Sequence, residues 1–123
     1  MAVIRRKDVT LTTDASGDAT GYTEEINGKI CSITYTKTDY ANGVDFTVTT
    51  EQTAQNLWVE LNVNAGKTVA PRQAVHDTAG AGVVYTSDNK PIVDAISLCQ
   101  ERVKIVVAQG GNTKTGKFTV YYE

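Results

Sequence analysis

The sequence has little of what most catalytic and nucleic-acid-binding proteins need: one histidine, two cysteines and no surplus of positive charge. With 12 Lys and Arg against 14 Asp and Glu, the net charge is −2. Neutralising a phosphate backbone takes a basic surplus, so direct nucleic-acid binding is not expected. The longest apolar runs, such as Ile105 to Ala108, are far too short to span a bilayer. We therefore expect a protein without membrane segments that is made in the cytoplasm.

The two cysteines, Cys31 and Cys99, lie far apart and share no metal-ligand spacing. We expect two buried free thiols, because reduced cysteine is among the most buried residue types. A disulfide between them remains an alternative at this point. The sequence predicts no metal and no cofactor.

Alternation of apolar and polar residues predicts β-strands in several places. Val44, Phe46 and Val48 alternate with polar residues, and the same pattern recurs over 57–63 and 118–122. A period of two over four to eight residues is typical of a half-buried strand. Trp58 falls on the face opposite Leu57 and its alternating neighbours, so this strand is either buried on both faces or presents Trp58 to a partner.

Two hairpins are predicted from turn residues. Asn27 and Gly28 suit a type I′ turn, which would pair Ile26 with Lys29. A second hairpin would join 102–108 to 117–122 through a polar, glycine-rich loop at 109–116.

Together these patterns predict an all-β fold. We expect a single domain over 1–123, an antiparallel β-sandwich or jelly roll of about eight short strands. Residues 64–81, which include Pro71, are predicted to form a long irregular loop. Residues 1–8 are a candidate flexible arm.

The motifs that resemble catalytic sequences fail on inspection. Gly111 to Lys117 matches a phosphate-binding P-loop except at the last position, where Phe118 replaces the required Ser or Thr. His76 is followed by Asp77, but no Gly-x-Ser-x-Gly sequence supplies a nucleophile for a triad. The chain is therefore not predicted to be an enzyme, and no catalytic or cofactor-binding residue is assigned.

Three stretches in the second half of the chain are similar to a known group of proteins. The stretches are Ala70–Ala81, Glu101–Gly111 and Lys114–Phe118. Their order and spacing resemble small β-rich structural proteins of tailed bacteriophages, of the capsid decoration or cement kind. The resemblance covers roughly residues 55–123.

This resemblance implies a virion protein made in the host cytoplasm. A decoration protein would bind the major capsid protein or other virion proteins, stabilise the assembled head and form a homo-oligomer. The alternatives are a component of the tail or head–tail connector, or a carbohydrate-binding module built on Trp58 with Tyr40 or Tyr85.

Six residues are candidates for partner binding. Arg72, with His76 and Asp77, lies in the predicted loop, where Arg72 would pair with Asp77 or with a carboxylate of the partner. Arg5 and Arg6 lie in the candidate arm, which would add a strand to a neighbour. A solvated edge strand protected by its charges is the alternative for that segment. Trp58 is a candidate aromatic anchor.

Overall fold

The computed structural model describes residues 3–123, which form eleven β-strands and no helix. No helix in this part of the chain is therefore available to cross a membrane. The prediction of an all-β domain is confirmed, with more strands than expected. The strands are β1 (Arg5–Thr12), β2 (Ala19–Tyr22), β3 (Ile26–Lys37), β4 (Val44–Thr50), β5 (Asn56–Val63), β6 (Lys67–Val69), β7 (Arg72–Ala74), β8 (Val93–Ala95), β9 (Ser97–Glu101), β10 (Val103–Ala108) and β11 (Thr115–Tyr122).

Two antiparallel sheets make the sandwich. The first has the order β1-β11-β3-β6, with β9 also paired to β3, and the second has the order β2-β10-β4-β5. A separate two-stranded sheet joins β7 and β8. The central strands β3, β4, β10 and β11 turn alternate apolar residues towards the facing sheet, as the alternation predicts.

Aromatic rings fill the middle of the sandwich. Phe46 of the second sheet lies 5.1 Å, between ring centroids, from both Tyr35 and Phe118 of the first. Trp58 meets Phe46 edge to face at 4.8 Å. Offset and edge-to-face pairs at such distances add stability beyond the area they bury.

A buried tyrosine ties the connection between β3 and β4 to the first sheet. The Tyr40 hydroxyl donates a 2.7 Å hydrogen bond to the carbonyl oxygen of Leu11 in β1. Burial, with a smaller effect from Tyr35, raises the pKa of Tyr40 to about 12. The phenol therefore remains a hydrogen-bond donor at neutral pH.

Neither predicted hairpin forms, because the chain continues within β3 at Asn27-Gly28 and crosses between the sheets at the second place. β10 lies in the second sheet and β11 in the first, so 109–114 is a crossover and not a hairpin loop. β2 pairs with β10, and β3 pairs with β11, β6 and β9. Within the two sheets of the sandwich, as residues 3–123 form them, only β4 and β5 pair as chain neighbours.

Asn27 and Gly28 lie inside β3 and do not form the predicted turn. A Cβ atom on Gly28 would come within 2.1 Å of the carbonyl oxygen of Glu123, and Gly28 has a φ of +137°. The Asn27 side chain accepts a 2.7 Å hydrogen bond from the backbone N–H of Gln100 in β9. Glycine is required here because the C-terminal backbone passes close to it, so the local turn signal is misleading.

The predicted apolar face of β5 holds only at its two ends, where Leu57 and Val63 are buried. Trp58 points into the core, whereas Val59 and Leu61 are 52% and 68% exposed. Two register shifts in the pairing of β4 with β5 interrupt the strict alternation. Between the two possibilities for Trp58, the structure places its ring in the interior.

The candidate arm is largely part of the sheet. Arg5 to Asp8 belong to β1, which pairs with β11 along its whole length. β1 lies at the edge of the first sheet, in keeping with the edge-strand alternative. The first two residues of the candidate arm, 1 and 2, lie outside the described residues.

Candidate partner-binding surface

A 25-residue segment projects from one edge of the first sheet, and we call residues 71–95 the excursion. β6 pairs with Ile33–Tyr35 of β3, and β9 pairs with the region Ile26–Lys29 of the same strand edge. The chain leaves the sheet after β6 and returns at β9. The region predicted as an irregular loop at 64–81 is thus ordered, since it contains β6, β7 and the first half of the excursion.

The excursion is held together mainly by backbone hydrogen bonds. β7 pairs with β8, and farther out His76 bridges Gly82 while Val84 bridges Pro91. Most of its residues are exposed. Its order therefore depends on short backbone pairings more than on a core of its own.

Arg72 fastens the base of the excursion to β3. Its Nη1 donates to the carbonyl oxygens of Cys31, at 3.3 Å, and of Pro71, at 2.8 Å. A second contact joins Gln55 Nε2 to Gln73 Oε1 at 2.9 Å. These contacts link the excursion to β3 and to the turn before β5.

Asp77 closes the tip loop of the excursion. Its Oδ1 accepts hydrogen bonds from the backbone N–H groups of Ala79, at 2.9 Å, and Ala81, at 3.0 Å. The predicted Arg72–Asp77 pair is therefore not formed: each side chain hydrogen-bonds its own local backbone partners. Asp77 acts as a loop-capping residue of the kind that favours turns.

His76 is exposed and takes part in the excursion through its backbone bridge to Gly82. The structure thus places Arg72, His76 and Asp77 in one element, as expected, but at separate positions: Arg72 at its base, and His76 and Asp77 at its tip. No three His, Cys, Asp or Glu side chains of residues 3–123 are grouped to hold a metal ion.

The excursion carries exposed apolar side chains, of which sequence reasoning named only Tyr85. Val84, Tyr85 and Val93 are 41%, 56% and 53% exposed. The signal was present as two short apolar runs, Val83–Tyr85 and Pro91–Val93, which do not alternate. Apolar groups gathered on a projecting element are typical of a contact surface.

The remaining candidate residues for partner binding lie outside the excursion. Arg5 and Arg6 are exposed on β1, at the opposite edge of the first sheet from the excursion. Trp58 and Tyr40 are only 7% and 2% exposed. Trp58, which the carbohydrate-binding alternative requires, therefore lies in the core, and so does Tyr40, one of its two possible partners, which leaves Tyr85.

A second exposed apolar surface lies on β5. It consists of Val59 and Leu61, and we call it the β5 surface. The carboxylate of Glu60 between them accepts hydrogen bonds from Lys67 Nζ, at 2.9 and 3.0 Å, and from Trp58 Nε1, at 3.0 Å. The hydrogen bond from Lys67 lowers the pKa of Glu60 most, and the hydrogen bond from Trp58 lowers it further. The charge of Glu60 is thus balanced within the chain.

Both cysteines are free thiols, and no disulfide joins them. Cys31 is half-buried and Cys99 is exposed, so the expectation that both are buried is wrong. β9 leaves the side chain of Cys99 on its outer side, because Leu98 fills the inner position.

No protein-family model matches this chain, and no curated protein matches it. The function is therefore inferred from the residues and geometry described above.

Proposed function

We propose that this chain is a structural protein of a tailed-bacteriophage particle, a capsid decoration protein that binds and stabilises the assembled head. Its partners are the major capsid protein or other virion proteins. The observation that carries the proposal is a set of exposed apolar side chains at separate places on one sandwich: the excursion, the β5 surface, and the segment before β1. A protein that is bound on several sides in an assembly needs such surfaces.

The fold suits this role because the sandwich is held firmly at the end where its crossovers meet. Thr13 Oγ1 donates to the carbonyl oxygen of Gly111 at 2.6 Å and accepts from the backbone N–H of Lys114 at 2.9 Å. The backbone N–H of Ala41 donates to the carbonyl oxygen of Gly110 at 2.9 Å. Three crossovers are thereby joined, and a rigid scaffold keeps the cost of ordering on binding low.

We assign the shell contact to the β5 surface. Val59 and Leu61 stand on the outer side of an edge strand, and the neighbouring carboxylate of Glu60 is already paired with Lys67. Burying this surface against a partner would remove apolar area from water without leaving an unpaired charge behind.

The test is binding to purified particles. Mass spectrometry of virions should detect the chain in stoichiometric amounts, and the purified protein should bind assembled shells but not free coat subunits. Val59→Glu/Leu61→Glu should weaken shell binding by at least about tenfold, since charged groups would be buried at the contact. Thr10→Glu/Thr36→Glu adds the same charge on the outer face of the other sheet and should bind as the unaltered protein does.

Absence of the chain from purified virions would refute the proposal. A few copies per particle, arranged as a ring, would place the chain in the tail or head–tail connector instead. Equal loss of binding in the two double variants would show that the β5 surface is not the contact.

A further inference from the structure

We propose that copies of this chain join head to tail, with the N-terminal segment of one copy, Val3–Lys7, bound to the excursion of the next. This inference stands apart from the proposed function, because it concerns the purified protein in solution. It combines the position of the two elements, their apolar groups and their charges.

The two elements lie at opposite edges of the first sheet. The N-terminal segment enters β1, whereas the excursion leaves from the β6 and β9 side of β3. β11 and β3 stand between them, so with a strand spacing of about 4.8 Å the edges are on the order of 15 Å apart. Different surfaces on opposite sides of one subunit are what a head-to-tail contact uses, and such a contact closes into a ring when its rotation allows.

Both elements expose apolar side chains. Val3 and Ile4 are 59% and 64% exposed and directly precede β1. On the excursion, Val84, Tyr85 and Val93 are exposed to a similar degree. Tyr85 gives the excursion a large, stiff side chain of the type that dominates protein contacts.

The charges around these apolar groups are opposite in sign. The N-terminal segment carries three cations, Arg5, Arg6 and Lys7. Lys7 lies 3.5 Å from Glu24 and Arg6 lies 3.7 Å from Asp8, whereas Arg5 makes no ion pair within the described part of the chain.

The excursion carries three carboxylates, Asp77, Asp88 and Asp94, against two cations, Arg72 and Lys90, which leaves a net charge of −1 with its histidine neutral. Arg72 donates to backbone carbonyls at the base, where Asp94 also lies in β8, so Lys90 is the cation of the outer part, which holds Asp77 and Asp88. Basic and acidic groups around apolar ones favour this pairing over contact between like segments. The β5 surface is a weaker binding site for the cations of the N-terminal segment, because its neighbouring carboxylate, Glu60, is already paired with Lys67.

A charge-exchange experiment tests the proposal by sedimentation velocity. The unaltered protein at roughly 0.1 mM, where a micromolar contact is populated, should sediment as a discrete assembly above the 13.3 kDa monomer. Arg5→Glu/Arg6→Glu and Asp88→Lys/Asp94→Lys should each weaken association at least about tenfold. An equal mixture of the two variants should assemble again, because each contact between one variant and the other then joins opposite charges.

Two controls separate charge from local structure. The carboxylates of Asp88 and Asp94 accept hydrogen bonds from the backbone N–H groups of Lys90 and Ala95, at 3.1 and 2.7 Å. Asp88→Asn/Asp94→Asn keeps an acceptor at both positions and should still weaken association. Lys114→Glu/Lys117→Glu makes the same change in net charge as the arginine variant, away from both elements, and should assemble normally.

Circular dichroism would verify that each variant is folded. A monomer at every concentration would overturn the proposal, and so would failure of the mixture to assemble. Equal weakening by Lys114→Glu/Lys117→Glu would also overturn it, because association would then follow net charge alone.

Discussion

The guanidinium of Arg72 donates a hydrogen bond to the carbonyl oxygen of Cys31, at a point on β3 where strand pairing lapses. On one side, β3 pairs with β6 at Ile33–Tyr35 and with β9 in the region Ile26–Lys29. On the other side, its pairing with β11 passes from Ile30 directly to Ser32. Cys31 therefore has no paired residue on either side. The arginine supplies a donor at a gap in the ladder and fixes the excursion there.

Arg72→Ala should loosen the excursion and leave the sandwich intact. We expect faster hydrogen exchange over 71–95 and a loss of no more than about 1 kcal/mol in the free energy of unfolding, as for one partly exposed hydrogen bond. Hydrogen–deuterium exchange with mass spectrometry would measure the first and denaturant unfolding the second. Arg72→Lys keeps a cationic donor and should recover part of the protection. Unchanged exchange in Arg72→Ala would show that other contacts hold the excursion.

Phe46→Ala should be strongly destabilising. Its ring contacts Tyr35, Trp58 and Phe118 between the two sheets, so its removal leaves a cavity in the core. We expect a loss of about 3–5 kcal/mol in the free energy of unfolding by denaturant titration. Leu61→Ala removes an exposed apolar side chain and should stay within about 0.5 kcal/mol of the unaltered protein. Similar losses in both variants would contradict the described core.

Gly28→Ala tests the close approach of the C-terminal backbone to β3. The backbone N–H of Lys29 donates to the carbonyl oxygen of Glu123 at 2.7 Å, and a methyl group on Gly28 would collide with that oxygen. We expect a loss of more than about 1 kcal/mol, measured by thermal and denaturant unfolding, because backbone must move and φ is positive. Gly82→Ala meets no atom within 4 Å and is the matched control. A Gly28→Ala variant as stable as this control would mean that the C-terminus does not pack there.

The carboxylate of Glu60 should contribute to stability in a pH-dependent way. Its hydrogen bonds from Lys67 and Trp58 lower its pKa below the ordinary 4.5 in the folded state. A group with a depressed folded-state pKa stabilises the fold above its unfolded pKa, and this contribution is lost as pH falls through the folded value. The Glu60→Gln variant should therefore be less stable than the unaltered protein at pH 7. Its free energy of unfolding should also fall less than that of the unaltered protein between pH 7 and pH 3.

Denaturant unfolding at both pH values would measure this difference. Glu25→Gln removes an exposed carboxylate that forms no ion pair in residues 3–123 and serves as the control for charge removal. If Glu60→Gln lost as much stability between pH 7 and pH 3 as the unaltered protein, the proposed linkage would be refuted.

The parts of the fold that the sequence predicts well are those decided within one strand. Val44, Phe46 and Val48 are buried as their alternation predicts, and so are Phe118, Val120 and Tyr122. Alternation reports which residues face the core, because successive side chains of a strand point to opposite faces. It fails in β5, where register shifts turn Trp58 inward and Leu61 outward.

The candidate surface was predicted only in part. The sequence directed attention to Arg72, His76 and Asp77, and all three belong to the excursion. It did not show that the segment continues to Ala95, because the pairing of β7 with β8 joins residues about 20 positions apart and leaves no short-range pattern.

The sequence by itself determined that this protein lacks a basic surplus, is built from strands and buries an alternating set of valines, isoleucines and aromatics. Only the tertiary structure decided which strands pair. Asn27-Gly28 and the glycine-rich segment 109–116 both carry turn signals, but the chain runs straight through the first and crosses between sheets at the second. The reason is physical: turn residues report backbone freedom at one point, whereas pairing depends on which distant strand gains most by burying its apolar face.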